Sequence, residues 1–326
     1  MSWLVTGGAG FIGAHVVREL AAAGERVVVL DDLSSGDPGR LPAGVAVERG
    51  SVLDREALDR ALRAHGLDGV VHIAAKKQVG ESVERPLEYY RENVEGLRTV
   101  LEASVAAGVR RFLFSSSAAV YGMPDVDLVT EDTPCAPMSP YGETKLAGEW
   151  LVQAAGRAHG MATACLRYFN VAGAATPELA DTGVFNLVPM VFDRITRGEA
   201  PVVFGDDYPT ADGTCERDYV HVVDVASAHV AAAGRLAADP QARLVLNIGR
   251  GEGASVAAMV AVILETAGRE GLRPEIAPRR AGDPARVIAS ADLARKELDW
   301  SARYGVREMI ESAWEGWCLR HPEARA

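Results

Sequence analysis

Tyr141 and Lys145 stand four residues apart just behind Ser139-Pro140, a spacing that puts both side chains on one face of a helix. Serine suits an N-cap and proline the first helical position, so a helix is predicted from Tyr141 to about residue 158. A free tyrosine hydroxyl titrates near pH ~10 and serves as a base at neutral pH only where positive charge stabilises its phenolate. Lys145 offers one such charge and an oxidised nicotinamide a second. Ser117 closes the run Phe114-Ser115-Ser116-Ser117 at the end of an apolar strand, where it could hydrogen-bond a substrate hydroxyl. The chemistry suggested is removal of that hydroxyl's proton as hydride leaves the same carbon. A tyrosine and lysine at this spacing also occur on ordinary exposed helices. The serine-ended strand before them and a glycine-rich turn near the N-terminus favour the catalytic reading.

That turn is Val5-Thr6-Gly7-Gly8-Ala9-Gly10-Phe11-Ile12-Gly13, set between the apolar run Trp3-Leu4-Val5 and a helical pattern of Val16, Val17 and Leu20. Gly7 or Gly8 would make the tight turn, Gly10 would let the backbone approach a pyrophosphate, and Gly13 would allow close helix-to-strand packing. The helix N-terminus then offers free N–H groups and partial positive charge to phosphates. Asp31 ends the next apolar run, Val27-Val28-Val29-Leu30, at about the 20-residue distance from which an acidic side chain accepts from the adenosine ribose hydroxyls. With no arginine beside it, Asp31 favours NAD over NADP.

Alternation of apolar runs and helical stretches continues through Val45-Ala46-Val47, a helix over residues 54–64, Val70-Val71-His72-Ile73, a longer helix over residues 86–107, residues 111–115, the Tyr141 helix and a strand over residues 163–168. This is an α/β pattern of the doubly wound, parallel-sheet kind. From Ala172 onward Pro177, Pro189, Pro201 and Pro209 break it, as in a smaller domain of short elements. Tyr219-Val220-His221-Val222 and Leu244-Val245-Leu246-Asn247-Ile248 are expected to return to the main sheet, residues 255–267 and 306–319 to be helical, and residues 274–284 to form a loop.

The 326 residues, 48% hydrophobic and 24% charged, suffice for one large or two small domains with a substantial core. A net charge of −11 argues against nucleic-acid or membrane-surface partners, so an anionic substrate would need local arginines. No apolar run reaches a membrane span, and Met1 leads into a strand without a basic leader, so the protein is expected to be cytoplasmic. Cys135, Cys165, Cys215 and Cys318 are scattered, and neither they nor the histidines have metal-ligand spacing. No metal is expected, and His72 and His221 read as structural.

Taken together, residues 5–13, Gly80-Glu81-Ser82-Val83, Pro86-Leu87-Glu88-Tyr89-Tyr90, residues 112–122, residues 139–145 and Leu166-Arg167-Tyr168-Phe169-Asn170 resemble the extended short-chain dehydrogenase/reductase superfamily. Asp207-Tyr208-Pro209-Thr210, Asp212-Gly213-Thr214 and Arg217-Asp218-Tyr219-Val220-His221-Val222 narrow the resemblance to UDP-glucose 4-epimerases. The resemblance implies a Rossmann-like, doubly wound parallel sheet with a smaller, discontinuous C-terminal domain. Residues 1–171 would bind NAD, with returning segments within 219–249, and residues 172–218 and 250–326 would bind a UDP-sugar.

It further implies a catalytic set of Ser117, Tyr141 and Lys145. Cofactor contacts would come from Gly7, Gly10, Phe11, Ile12 and Gly13, from Asp31, Asp32, Leu33, Ser34, Ser35 and Gly36, from Ser51 and Val52, from Ile73, Ala74, Ala75, Lys76 and Lys77, and from Asn93, Tyr141, Lys145 and Phe169. Substrate contacts would come from Ser117, Tyr141, Asn170, Asn186, Leu187, Val202, Val203, Phe204, Arg217, Arg280, Asp283 and Val287. Arg217 and Arg280 suit a diphosphate clamp, and Asp283 could accept from the uridine ribose.

The implied reaction is inversion at C4 of a UDP-hexose through a 4-keto sugar, UDP-galactose and UDP-glucose being interconverted on a retained NAD, in a homodimer joined through two long helices. Asp32, the Ser51-Val52 pair and Ala119 depart from the family pattern, the second of these where adenine is usually met. Val287, smaller than tyrosine at a position that limits the sugar's 2-substituent, leaves UDP-N-acetylhexosamines open, and UDP-pentoses are a further alternative. Ala118-Ala119 behind Ser117 lack the Asp-Glu pair of a 4,6-dehydratase, and retention of Tyr141 and Lys145 argues against a non-catalytic NAD sensor.

Overall fold

The computed structural model describes residues 1–280 and 282–325; Ala281 and Ala326, both inside the segment 250–326 assigned to the smaller domain, lie outside the described residues. The first half alternates strand and helix: β1 (Ser2–Thr6), α1 (Phe11–Ala22), β2 (Arg26–Asp31), β3 (Ala46–Arg49), α2 (Arg55–His65) and β4 (Gly69–His72). Next come α3 (Val79–Glu84), α4 (Pro86–Tyr89), a π-helical segment (Tyr90–Glu95), α5 (Gly96–Ala106), β5 (Arg111–Ser117), α6 (Pro140–His159) and β6 (Ala162–Tyr168). The second half holds β7 (Asn170–Ala172), α7 (Leu187–Thr196), β8 (Val202–Phe204), β9 (Glu216–His221), α8 (Val222–Ala238) and β10 (Arg243–Ile248). It ends with β11 (Gly253–Ser255), α9 (Val256–Thr266), β12 (Glu275–Ala277), β13 (Arg286–Val287), α10 (Asp292–Leu298) and α11 (Val306–Arg320).

Seven strands form one parallel sheet in the order β10-β6-β5-β4-β1-β2-β3. Its central strands read as unbroken apolar runs because both faces are covered. Trp3, Val5, Val29, Val71 and Leu113 pack on one side with Val16 and Leu20 of α1 and Val225 and Ala232 of α8. Leu4, Val28, Val70, Phe112 and Phe114, one residue out of phase, pack on the other with Leu58 of α2 and Leu97 and Val100 of α5. The chain leaves β1 toward β2 and β3 in one direction and returns through β4, β5 and β6 in the other. The resulting crevice, at the C-terminal ends of β1 and β4, is where open α/β sheets bind ligands. No described helix is long and apolar enough to cross a membrane.

Three expectations are corrected. The helix predicted over residues 86–107 is interrupted by the π-helical turn Tyr90–Glu95, which carries Asn93. The loop expected over residues 274–284 contains β12, which pairs in parallel with β8; three residues are too short to show a period in sequence. Leu244–Ile248 joins the main sheet beside β6 as expected, but Tyr219–His221 does not. It forms the second half of β9 in a second sheet, with β7, β11 and β13 as neighbours. Once β10 occupies the edge beside β6, the continuation of β6 into β7 offers β9 a different partner. The fully buried carboxylate of Asp218 then fixes β9, accepting from the N–H groups of Arg250 at 2.8 Å, Gly251 at 2.9 Å and Ala289 at 3.3 Å.

Asp218→Ala leaves those three donors unsatisfied, and each orphaned buried group costs about 1–3 kcal/mol. The variant is therefore expected to lose roughly 3 kcal/mol or more of stability in urea unfolding, with Asp218→Asn intermediate.

Candidate active site

Gly7 makes the tight turn after β1, with φ +70°, while Gly8 stays below zero and is kept small by Val29 of β2, 2.6 Å from where a Cβ would lie. At Gly7 a Cβ would come within 2.7 Å of the Ala74 nitrogen, so the turns after β1 and β4 touch. At Gly13 it would collide with the Gly7 carbonyl and the Gly8 backbone. Gly10 differs: only the Gly7 carbonyl oxygen lies within 4 Å of its would-be Cβ, at 3.3 Å. Helix α1 starts behind it with no side-chain cap and no acidic residue in its first turn, leaving the positive end of the dipole for an anion.

Asp31, buried at the end of β2, accepts from Ala9 N–H at 2.9 Å and from Leu33 N–H at 2.9 Å, one bond per oxygen. Each oxygen keeps a lone pair for a ribose hydroxyl. Gly36 packs against this carboxylate, 2.8 Å from Oδ1 to its would-be Cβ, and Asp32 Oδ1 accepts from Ser34 N–H at 2.9 Å. These residues fit a dinucleotide: an open glycine, an uncapped helix start and a fixed carboxylate. Asn93 clamps the turn after β4, receiving Lys76 N–H at 2.8 Å and donating to the Lys76 carbonyl at 3.0 Å and to Thr144 Oγ1 at 3.0 Å. Lys76 itself is paired with Glu88 at 2.8 Å. Ser51 Oγ accepts from Leu53 N–H at 3.1 Å, and Val52 is buried against Gly96, so this pair shapes the wall beside α5.

At the end of β5 the predicted catalytic residues meet. Ser139 Oγ caps α6 by accepting from Gly142 N–H at 3.2 Å, with Pro140 in the first turn as expected. Lys145, buried, donates from Nζ to the Ser115 carbonyl at 2.8 Å, and Nζ lies 5.9 Å from the Tyr141 ring centre. Burial lowers the Lys145 pKa to about 8, against an upward pull from the Glu149 carboxylate. Burial raises that of Tyr141, while a hydrogen bond with Ser117 draws it down. Without further positive charge Tyr141 is therefore a neutral phenol. His72, beneath, bonds Thr6 Oγ1 through Nδ1 at 2.8 Å and is lowered to about 3 by burial and, less strongly, by the Lys145 charge. It is neutral and structural.

Behind this junction lies a polar cluster to which the sequence reading assigned no role. Glu149, one turn beyond Lys145, accepts from Arg167 Nε at 2.8 Å and Nη2 at 2.6 Å, and from the Ser116 hydroxyl. Arg167 Nη1 donates to Tyr121 OH at 2.8 Å, and Tyr121 OH donates to Asn247 Oδ1 at 2.7 Å. On the opposite face Tyr168 OH is bonded to Ser115 Oγ and, at 3.0 Å, to His229 Nε2.

The predicted substrate residues fall around the second sheet. Arg217 on β9 donates to Asp283 at 2.9 Å, and Arg280 stacks on Phe204, 3.8 Å from the ring centre. Val287, paired in register with Arg217, is buried in one cluster with Phe169, Leu146 and Val120. Asn170 opens β7, exposed. Asn186 is exposed at the start of α7 without capping it, which leaves its amide free. Leu187 packs partly against the cluster of Val188, Phe192 and Trp317, and Val202 and Val203 precede Phe204 on β8. Among the described residues no group of three His, Cys, Asp or Glu is placed to hold a metal ion.

Residues 3–249 match the NAD dependent epimerase/dehydratase family. A UDP-glucose 4-epimerase of Halalkalibacterium halodurans is 42% identical over 99% of this chain and 97% of its own. The crystal structure of a UDP-glucose 4-epimerase from Stenotrophomonas maltophila, with bound NAD and formylated UDP-arabinopyranose, superposes with a TM-score of 0.92 at 39% identity, covering 99% of both chains. That of Bifidobacterium longum, in complex with NAD+ and UDP, gives 0.90 at 36% identity, covering 99% of this chain and 100% of that one.

Gly10→Val tests the cradle. The backbone there, φ −75° and ψ 178°, suits any residue, and the one close neighbour of an added Cβ is the Gly7 carbonyl oxygen at 3.3 Å. The variant is expected to keep the wild-type melting temperature within a few degrees while the NAD released on denaturing the purified protein falls to a small fraction of the wild-type amount.

Proposed function

This chain belongs to the NAD dependent epimerase/dehydratase family and, within it, to the UDP-glucose 4-epimerases, and from that premise we propose how its residues divide the work. The reaction is NAD-dependent inversion at C4 of a UDP-hexose, interconverting UDP-galactose and UDP-glucose. Bound NAD supplies a hydride acceptor and donor for C4 and a positive charge beside the phenol. Tyr141 takes the proton of the 4-hydroxyl, Ser117 orients that hydroxyl, and Lys145 stabilises the phenolate. The observation that carries this assignment is the junction at the end of β5, where a buried ammonium, a phenol and a serine converge. Gly7, Gly10, Gly13 and the start of α1 hold the pyrophosphate, and Asp31 holds the adenosine ribose.

Arg217, Arg280 and Asp283 grip the UDP portion, with Asn170 and Asn186 beside them. Binding energy spent on this remote group retains the 4-keto sugar while its hexose ring turns to present the other face. Release of Arg217 from Asp283 and of Arg280 from Phe204 would free both guanidiniums for the diphosphate. Val287, smaller than tyrosine and packed beside Phe169, supports an N-acetyl group being accommodated as well. A cytoplasmic location is part of the proposal and agrees with four cysteines that are all free.

A homodimer is supported by one apolar strip. Val83 lies in the last turn of α3 and Leu87 and Tyr90 follow on the next two elements, all three exposed, Leu87 to 85%, and Trp150 on α6 is 65% exposed. Tyr90 OH donates to Glu143 at 2.8 Å, and Glu143 shares a helix face with Trp150 seven residues on, which sets the π-helical segment beside that face of α6.

Tyr141→Phe is expected to abolish conversion of UDP-galactose, read by chromatography, while bound NAD remains. Lys145 is charged below its pKa and neutral above it, so the wild-type kcat/KM should fall on the alkaline side near pH 8; a flat profile to pH 10 would contradict its role. In light scattering the wild type is expected to be a dimer, and Leu87→Glu with Trp150→Glu a monomer.

A further inference from the structure

We propose that the buried Glu149–Arg167 ion pair is the positioning element of this reaction: through Ser116 it sets the end of β5 against α6, and its carboxylate is the counter-charge for Lys145. The inference rests on Ser117, Tyr141 and Lys145 being the reacting set.

Three consecutive serines end β5, and each is tied differently. The Ser115 carbonyl receives Lys145, Ser116 Oγ donates to Glu149, and Ser117 Oγ accepts from Ala119 N–H at 3.2 Å, beside the Tyr141 phenol whose pKa it draws down. Alternation along the strand sends Ser116 to the face covered by α6 and its two neighbours to the other. Glu149 is thus the side-chain anchor joining α6, which carries the base and the ammonium, to the strand that carries the hydroxyl-orienting serine. One turn separates Glu149 from Lys145, so the same carboxylate fixes the strand and faces the ammonium.

Arg167 makes that anchor rigid. Its Nε and Nη2 form a two-pronged bond to Glu149, and its Nη1 is held by Tyr121, itself bonded to Asn247 of β10. Glu149 is 1% and Arg167 5% exposed. A buried pair of this kind seldom improves stability over apolar side chains of the same bulk, so stability alone does not account for placing one directly behind three serines. It does account for geometry, because a bidentate fork fixes distance and angle together.

The charged and titratable groups around the pair come from every neighbouring element. They are His72 from β4, Cys165 from β6, Tyr121 from the turn after β5, Glu131 and Cys135 from the segment before α6, and Tyr141 and Lys145 from α6 itself. Of these only Lys145 lies between its two forms at mildly alkaline pH, so it reports the charge of Glu149.

The test replaces both partners, Glu149→Gln with Arg167→Met, so that neither member of the pair is left buried without the other. NAD content and the KM for UDP-galactose should remain near wild type, kcat should fall about tenfold to a hundredfold, as for a small misplacement of reacting groups, and the alkaline limb of kcat/KM should move to lower pH. Wild-type kcat, or an unmoved limb, in the folded double variant would overturn the proposal. Should that variant not fold, Ser116→Ala decides, since it cuts the link and leaves the charges: lowered kcat with full NAD content supports the proposal, and wild-type kcat overturns it. Tyr141→Phe is measured in parallel. Activity in Tyr141→Phe would remove the premise, whereas an inactive Tyr141→Phe beside a fully active pair variant would overturn the pair alone.

Discussion

A protonated amine buried in a protein must find there what water would have given it, and the ammonium of Lys145 imposes that demand on everything around the C-terminal end of β5. One backbone carbonyl, that of Ser115, meets it at 2.8 Å. The carboxylate of Glu149 supplies negative charge a turn away. That carboxylate is buried in turn and needs the fork of Arg167, which is anchored by Tyr121. Each compensation recruits another element, so the need to keep one amine charged links α6, β5, β6 and β10. Removing either member of the Glu149–Arg167 pair alone would strand a buried charge, at a cost of about 3–5 kcal/mol.

The two sheets meet at one edge. Parallel strands β1, β4 and β5 end together and present, side by side, the glycine turn, the Asn93-clamped turn after β4 and the serines. Chain continuity then carries β6 through Phe169 into β7, and β9 pairs with β7. Arg217 and Val287, adjacent in the second sheet, are thereby delivered toward the same edge. Asp218 holds this second sheet to the loop after β10, so Arg217, next to it in sequence, inherits a fixed backbone. Neutral histidines do comparable work: His15 donates to the Phe11 carbonyl and accepts from Ala175 N–H, joining α1 to the segment behind β7. Its pKa, lowered by burial to about 4, keeps it in the neutral form those two bonds require.

Much of this was legible in the residues and some was not, and the difference is one of range. Local geometry shows in local sequence: Ser139-Pro140 announces the start of α6, four-residue spacing brings Tyr141 and Lys145 together, and glycines mark the turn after β1. Whether Gly7 or Gly8 takes the positive φ depends on Val29 of β2 pressing on the second of them, which no local pattern encodes. Glu149 reads as one more solvated acid on a helix, because its burial depends on where β5 and β6 lie against α6. A carboxylate one turn after Lys145, with an arginine inside an otherwise apolar strand, was the signal available. Tyr219-Val220-His221-Val222 reads as a short main-sheet run, whereas the strand it belongs to, β9, is tied into the second sheet by pairing with β7 and by the Asp218 carboxylate, neither of which a local pattern shows.

In the reaction proposed above, the hydride never leaves the site: it is removed from C4 and returned to the opposite face of the same carbon while the nucleotide portion stays gripped. UDP-galactose carrying deuterium at C4, converted in the presence of excess unlabelled NADH, tests this most directly. The account predicts that the UDP-glucose formed retains essentially all of the deuterium at C4. Loss of the label to water, or its replacement by hydrogen from the added NADH, would contradict it.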